Sequence, residues 1–130
     1  MEKIPYTRSL RAVCDNAAQF FIVTEPMPSS MWLFVQNTVE ENRTTNFAAV
    51  RVGRGKNLLE PHWWEEHLPC LVNVLYWQDK ELHFVNEGER VIFRFDGCTV
   101  GDDLRCEVEG YLTPKVESRE PFRPRKRIGE

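Results

Sequence analysis

The side chains best suited to ligand chemistry lie near the middle of the chain, where two tryptophans run directly into two carboxylates in residues 62–67 (HWWEEH). An indole offers a flat apolar face on which the C–H face of a sugar ring can stack, and adjacent carboxylates and basic groups can bind hydroxyls at the rim. About a dozen residues earlier, Arg51 and Arg54 supply basic groups within residues 47–54 (FAAVRVGR). These two segments form the first candidate ligand site.

The same side chains also have a structural explanation. Trp63 and Trp64 can pack on a strand, one inward and one outward, because successive strand residues point to opposite faces. Glu65 and Glu66 can be solvated strand ends, since carboxylates are usually exposed. Both explanations remain open at this stage.

Catalytic and metal chemistry find little support in the sequence. His62, His67 and His83 have no spacing typical of a metal site, so no metal site is predicted. No serine lies in a Gly-x-Ser-x-Gly elbow, and Asp102 and Asp103 follow Gly101, which favours a structural turn. We therefore predict a protein that is not an enzyme and needs no cofactor.

Length and composition limit the remaining classes. The 130 residues suit one domain, and 42% hydrophobic residues are enough for a core. A net charge of -3 argues against a nucleic-acid partner, which would need a basic face. The four cysteines, at positions 14, 70, 98 and 106, lack CxxC spacing and are predicted to be free, buried thiols.

The apolar runs, the N-terminal residues and the C-terminal tail bear on where in the cell the protein is found. No apolar run is long enough for a membrane span, and the N-terminus lacks the apolar core of a secretory signal. A cytoplasmic protein is predicted, with nuclear entry or export without a signal peptide as alternatives. Residues 117–130 are rich in Pro and Arg and are predicted to be disordered, with RPRKR at 123–127 serving as an import signal, a phosphate-binding cluster or a solubilising tail.

Short apolar runs separated by turn signals indicate an all-β domain. The predicted strands of the first half cover residues 19–24, 31–36 and 46–52, with a weak strand at 57–59 and a polar turn at 37–43. In the second half, residues 70–77, 81–86 and 90–95 are predicted to be consecutive hairpin-linked strands, the first of them central in its sheet. Residues 104–112 are predicted to form the last strand, with one face exposed to solvent. This pattern favours an antiparallel β-sandwich, and a small barrel is the alternative.

Several landmarks occur in an order that belongs to a known family. Residues 5–10 (PYTRSL) are followed by 46–50 (NFAAV), 57–60 (NLLE) and 63–67 (WWEEH). These segments resemble the opening, the His-x-Asn-x-Arg strand, the Val-x-Asn strand and the Trp-Gly-x-Glu-x-Arg motif of a galectin carbohydrate-recognition domain. The runs at 75–77, 82–86, 91–95 and 104–112 resemble its later strands. The resemblance spans roughly residues 4–116 and implies a galectin-like jelly-roll domain over residues 1–116.

The resemblance also assigns site residues. Trp63 takes the place of the stacking tryptophan, Glu66 that of the carboxylate and His67 that of the final arginine. Asn46 stands where the family has histidine. Ala48 and Val50 stand where it has Asn and Arg, so Arg51 and Arg54 would have to replace them. The resemblance therefore implies six carbohydrate-binding residues: Asn46, Arg51, Arg54, Trp63, Glu66 and His67.

Two functions follow from the resemblance. The first is a divergent lectin that binds a β-galactoside-type glycan or a glycoprotein. The second is a galectin-fold interaction module that has lost sugar binding and docks a protein partner, or a second copy as a homodimer, through the faces or edges of the sandwich. A single sugar commonly binds near the millimolar scale, about -4 kcal/mol, so losing two polar contacts at ~1–3 kcal/mol each would abolish measurable affinity for lactose.

Overall fold

The computed structural model describes residues 2–77 and 81–115, which form nine strands in two antiparallel sheets. This confirms the predicted all-β sandwich. In chain order the strands are β1 (Ile4–Val13), β2 (Gln19–Val23), β3 (Met31–Asn42), β4 (Ala49–Gly55), β5 (His62–His67), β6 (Tyr76–Trp77), β7 (His83–Val85), β8 (Arg90–Asp96) and β9 (Asp103–Pro114).

The two sheets divide the strands as follows. The first sheet has the order β1-β9-β3, and both β6 and β7 pair with the remaining edge of β3. The second sheet has the order β2-β8-β4-β5, so β5 forms one of its edges. Strand β1 pairs with β9 from Ile4↔Leu112 to Val13↔Asp103, which joins the first and last strands.

The core lies between the sheets and follows the alternation of the strands. In β8, Val91, Phe93 and Phe95 are fully buried, and in β4 Val50 and Val52 are fully buried. Burying a side chain of this kind stabilises a fold by about 1.5–3 kcal/mol. Arg51, between the two valines of β4, and Arg94, between the two phenylalanines of β8, therefore point to the outer face of the second sheet.

A bulge in β3 turns polar side chains into the interior. The pairing of β3 with β9 shifts between Val35 and Asn37, which leaves Gln36 as the extra residue. Because strand side chains alternate, one extra residue reverses which of them point inward. Leu33 and Val35 are buried before the bulge, and Thr38, Glu40 and Asn42 are buried after it.

A second bulge has the same effect on β5. Val52 pairs with Glu65, whereas the next residue of β4, Gly53, pairs with Trp63, so Trp64 is the extra residue. Glu65 lies opposite the buried Val52, and His67 lies opposite the buried Val50. Both side chains are thereby placed on the inner face of the second sheet.

A glycine lies opposite each bulge, where the neighbouring strand comes very close. A Cβ atom at Gly53 would lie 2.1 Å from the carbonyl oxygen of His62, and one at Gly110 would lie 2.0 Å from the carbonyl oxygen of Phe34. No side chain fits at such a distance from backbone. Glycine at 53 and 110 is therefore required by the two bulges.

Several sequence predictions about the strands were wrong. The polar turn predicted at 37–43 is largely the second half of β3, which stays extended because its polar residues are buried. The strand predicted at 46–52 begins at Ala49 and continues to Gly55, and residues 57–59 form bends. Of the run 70–77 only Tyr76–Trp77 is a strand, and it lies at the edge of the sheet, where Leu71 and Leu75 are more than half exposed.

The predicted hairpin series was also wrong. Strands β6 and β7 both pair with β3, and β8 belongs to the other sheet. The four cysteines are free and buried, as predicted. Within the described ranges, no helix has the length and apolar character needed to cross a membrane. The tail predicted to be disordered, residues 117–130, lies outside the described residues.

Candidate functional site

Three of the predicted site residues meet on the outer face of the second sheet. Arg51 lies between the buried Val50 and Val52 and therefore points outward. Glu66 on β5 pairs directly with Arg51, and Trp63 lies on the same strand, on the other side of the bulge at Trp64. The strand pairing thus brings Arg51, Trp63 and Glu66 together.

Two residues of β8 complete this face. The Arg51 guanidinium donates to Asp96 Oδ2 at 2.5 Å and forms a second close ion pair with Glu66. Asp96 also pairs with Arg94, whose Nη2 donates to Asp96 Oδ2 at 3.1 Å. The Arg94 guanidinium lies 5.3 Å from the centre of the Trp63 ring. We call Arg51, Trp63, Glu66, Arg94 and Asp96 the Trp63 surface.

The Trp63 surface has the chemistry of a polyol-binding site. An open concavity of about 330 Å³ is lined by Arg51, Trp63, Trp64, Glu65 and Glu66. A guanidinium carries five N–H donors, and the two ion pairs of Arg51 leave donors for a ligand. A carboxylate accepts from several hydroxyls, and the half-buried indole offers an apolar face.

The other three predicted residues lie elsewhere. Asn46 holds the loop between β5 and β6, because its side-chain oxygen accepts a hydrogen bond from the Val72 backbone N–H at 2.8 Å. Arg54 reaches the first sheet, where it donates to the Phe84 carbonyl at 2.7 Å and lies 4.5 Å from the Phe84 ring centre. Arg54 is three residues from Arg51 and lies on the opposite face of β4, so the two arginines do not converge.

His67 belongs to a polar cluster inside the sandwich. Its Nε2 atom forms a close contact with Glu65 Oε2, and one ligating atom each from Glu40, Glu65 and His67 lie within 4.8 Å of one another. Thr38 donates its hydroxyl to Glu65 Oε1 at 3.0 Å. We call Glu40, Glu65 and His67 the inner cluster. It joins β3 of the first sheet to β5 of the second.

Glu40 is the most unusual member of the inner cluster. Its side chain is fully buried, and neither carboxyl oxygen has a hydrogen-bond donor. The nearby Thr38 hydroxyl favours ionisation, but its proton is directed to Glu65. Burial, followed by the charge of Glu65, raises the pKa of Glu40 well above its ordinary value.

The two tryptophans point to opposite sides, as the packing interpretation allowed. Trp64 packs against the core and stacks on the His83 ring, with centroids 4.7 Å apart and planes 7° apart. Glu65 and Glu66 differ in the same way. The prediction that both are solvated strand ends was wrong for Glu65, whose side chain is 6% exposed, because the bulge at Trp64 turns it inward. Glu66 is exposed on the Trp63 surface.

A third feature lies on the outer face of the first sheet. Phe34 stacks on Tyr111 at 5.4 Å between ring centres, and Trp32 contacts both Phe34 and Phe84. Trp32, Phe34 and Phe84 line an apolar depression of about 220 Å³. We call these four rings the aromatic surface. Three cations lie over its rings: Lys3 over Tyr111, Lys115 over Trp32 and Arg54 over Phe84.

Sequence reasoning missed three residues of the Trp63 surface and the inner cluster, namely Arg94, Asp96 and Glu40. Arg94 and Asp96 are the charged positions of β8 that alternate with buried apolar residues, and this alternation could have placed them on the outer face. Glu40 gave no such signal, because it was assigned to a polar turn. The sequence also predicted no metal site, because its three histidines have no metal-ligand spacing. Glu40 and His67 are 27 residues apart and meet only through the sheet packing.

Comparisons of the chain with models of protein families, with curated proteins and with solved structures found no match. The galectin resemblance therefore depends on the sequence landmarks alone.

Proposed function

We propose that this protein is a non-catalytic glycan-binding domain that uses the Trp63 surface. The observation that carries the proposal is the convergence of Arg51, Trp63 and Glu66, which are three of the six residues implied by the galectin resemblance. Two planar guanidinium groups and two carboxylates surround an indole there, which is the combination that binds the hydroxyls and the C–H face of a sugar. Trp63 is the stacking platform in this proposal.

The expected affinity is low. Sugar hydroxyls must compete with the ion pairs of Arg51 and Arg94, and the concavity is open to solvent. Asn46, Arg54 and His67 do not reach this surface, so the contacts of a full galectin-type site are reduced. A dissociation constant near the millimolar scale, about -4 kcal/mol, is the expectation for a monosaccharide or disaccharide.

The test is a titration of the domain with lactose and then with a broad glycan panel. Binding is measured by calorimetry and by the change in tryptophan fluorescence. Trp63→Ala should abolish saturable binding. Trp77→Ala is the matched control, because Trp77 is 60% exposed and Trp63 lies on the outer face of the other sheet. Tyr76 pairs with the buried Glu40, so Trp77 points to the outer face of the first sheet. Absence of binding to every glycan of the panel, or equal binding by the wild type and Trp63→Ala, would overturn the proposal.

The aromatic surface supports a second candidate, a protein-interaction module. Phe84 is 43% exposed beside the other rings, and a contiguous apolar patch of this kind marks interaction sites. Cations at the rim favour a partner segment with apolar side chains flanked by acidic residues.

A peptide-display selection tests this candidate directly. The expected consensus combines aromatic or aliphatic residues with Asp or Glu, and its binding should be lost in Phe84→Ala. Leu59→Ala is the control, since Leu59 is 88% exposed in the loop before β5. Selected peptides that bind Phe84→Ala as tightly as the wild type would contradict this use of the surface, and self-association lost in Phe84→Ala would identify a homodimer instead.

A further inference from the structure

The inner cluster has a feature that the glycan proposal does not use. A carboxylate taken out of water costs several kcal/mol unless it is protonated, hydrogen-bonded, paired or bound to a metal. Glu40 is fully buried, has no hydrogen-bond donor at either oxygen, and is directed toward Glu65 and His67. Two carboxylates and one imidazole are thus collected where a positive charge would satisfy all of them.

The backbone is arranged to produce this cluster. The bulge at Gln36 points Glu40 inward, and the bulge at Trp64 does the same for Glu65 and His67. Each bulge needs a glycine opposite it, at 110 and 53. Bulges that re-aim side chains are over-represented next to functional sites. Two bulges, each with its own glycine, therefore converge on one group of three ligands.

We propose that Glu40, Glu65 and His67 bind a divalent first-row transition-metal ion, with Zn²⁺ the expected occupant. Imidazole nitrogen and carboxylate oxygen are both ordinary zinc ligands, and three protein ligands with a fourth position open to water are a common zinc arrangement. Cu²⁺ would bind such a donor set more tightly, so the choice of Zn²⁺ depends on geometry and metal availability. The proposal goes beyond glycan binding and stands independently of it.

The geometry permits coordination after small side-chain rotations. Ligand bonds of about 2.0–2.2 Å place the donor atoms of one zinc ion about 3–4 Å apart. The three donors already lie within 4.8 Å of one another. His67 retains 27% exposure of its side chain, which provides a route for the ion and for water in a fourth position.

The bound ion would act as a link between the sheets. Glu40 comes from β3 of the first sheet, and Glu65 and His67 come from β5, the edge of the second. No pair of hydrogen-bonded strands connects these two elements. A metal ion there would hold the exposed edge of the second sheet, and with it the strand that carries Trp63.

The test is metal binding by the purified domain after treatment with a chelator. Zn²⁺ uptake is measured by equilibrium dialysis and calorimetry, and Co²⁺ is added as a coloured substitute whose visible absorption reports on the ligands. The expected result is one ion per chain and an increase in melting temperature. His67→Gln and Glu40→Gln should each weaken binding by more than the roughly 10–100-fold that loss of a hydrogen-bond partner of a ligand costs.

His62→Gln is the matched control, because His62 is exposed on the same strand and is not part of the inner cluster. It should bind Zn²⁺ as the wild type does. Circular dichroism checks the fold of each variant, and the partly exposed position of His67 keeps the test decisive if Glu40→Gln does not fold. Absence of saturable Zn²⁺ or Co²⁺ binding, unchanged affinity in His67→Gln, or an equal loss in His62→Gln would overturn the proposal.

Discussion

Asp102 provides a quantitative test of the packing at one end of the sandwich. It is 1% exposed, and its Oδ2 atom accepts hydrogen bonds from Asn42 Nδ2 at 2.8 Å, Thr45 Oγ1 at 2.6 Å and the Thr99 backbone N–H at 2.8 Å. The carboxylate therefore joins the end of β3, the loop after it and the turn between β8 and β9. This is a structural use of the Asp102-Asp103 pair.

The perturbation is Asp102→Asn, which keeps the shape and removes the charge. A hydrogen bond to a charged group contributes about 1.5–3 kcal/mol and a neutral one about 0.5–1.5 kcal/mol, so each of the three bonds loses roughly 1 kcal/mol. The expected loss of unfolding free energy is about 2–3 kcal/mol, or about 10 °C in melting temperature. Asp103→Asn is the control, since Asp103 is partly exposed and its ion pair with Arg11 should contribute less than about 1 kcal/mol.

The loss should also depend on pH. Burial alone would raise the pKa of Asp102, but hydrogen bonds from Thr45, the Thr99 backbone and Asn42 lower it below its ordinary value. A carboxyl whose pKa is lower in the folded state stabilises the fold above its unfolded pKa and loses that contribution as pH falls through the folded pKa. The difference between wild type and Asp102→Asn should therefore be constant from neutral pH to about pH 4 and shrink below it.

Urea unfolding followed by tryptophan fluorescence measures both effects. The expected order of stability is wild type, then Asp103→Asn, then Asp102→Asn. Two results would refute the reasoning. One is an Asp102→Asn variant as stable as Asp103→Asn at neutral pH, and the other is a stability difference that grows as the pH falls below 4.

Two further predictions concern the bulges and the thiols. Gly110→Ala should cost more than about 3 kcal/mol, because its Cβ would lie 2.0 Å from a backbone oxygen, whereas Gly101→Ala should cost about 1 kcal/mol, since nothing lies within 4 Å and only its positive φ opposes the change; equal urea midpoints for the two variants would count against the bulge geometry. Burial raises the pKa of Cys98 to about 12 and that of Cys70 to about 11, so a thiol reagent at pH 8 should react slowly with the native protein and rapidly in guanidinium chloride. Fast labelling of these two cysteines in the native protein would show that they are accessible.

The sequence predicted the parts of the fold in which a run of β-forming apolar residues lies between turn signals. β8 and β2 were both found in this way, β8 from residues 90–95 and β2 from residues 19–24. The second half of β3 was missed because Thr38, Glu40 and Asn42 are polar and were expected to form a turn. Only the bulge at Gln36 and the partners across the sheets explain why polar side chains are buried there.

The candidate site also has a part that could be predicted from the sequence and a part that could not. Trp63, Arg51 and Glu66 converge as the sequence predicted, because they lie on adjacent paired strands. Arg54 was placed wrongly in that group, since the alternation of β4 directs it to the other face. The inner cluster could not be predicted, because its members meet through two bulges that the sequence indicates only by glycines at 53 and 110.

The glycan proposal is tested most directly by the four indole N–H signals in a nitrogen-15 NMR spectrum, assigned by single substitutions and recorded during titration with lactose and the leading panel glycan. Trp63 reports on the proposed site, Trp32 on the aromatic surface, Trp64 on the interior and Trp77 on the outer face of the first sheet at β6. Glycan binding at the Trp63 surface should shift the Trp63 signal saturably and leave the Trp32 and Trp77 signals unchanged. A saturable shift confined to Trp32, or no shift of Trp63 with any glycan, would contradict it.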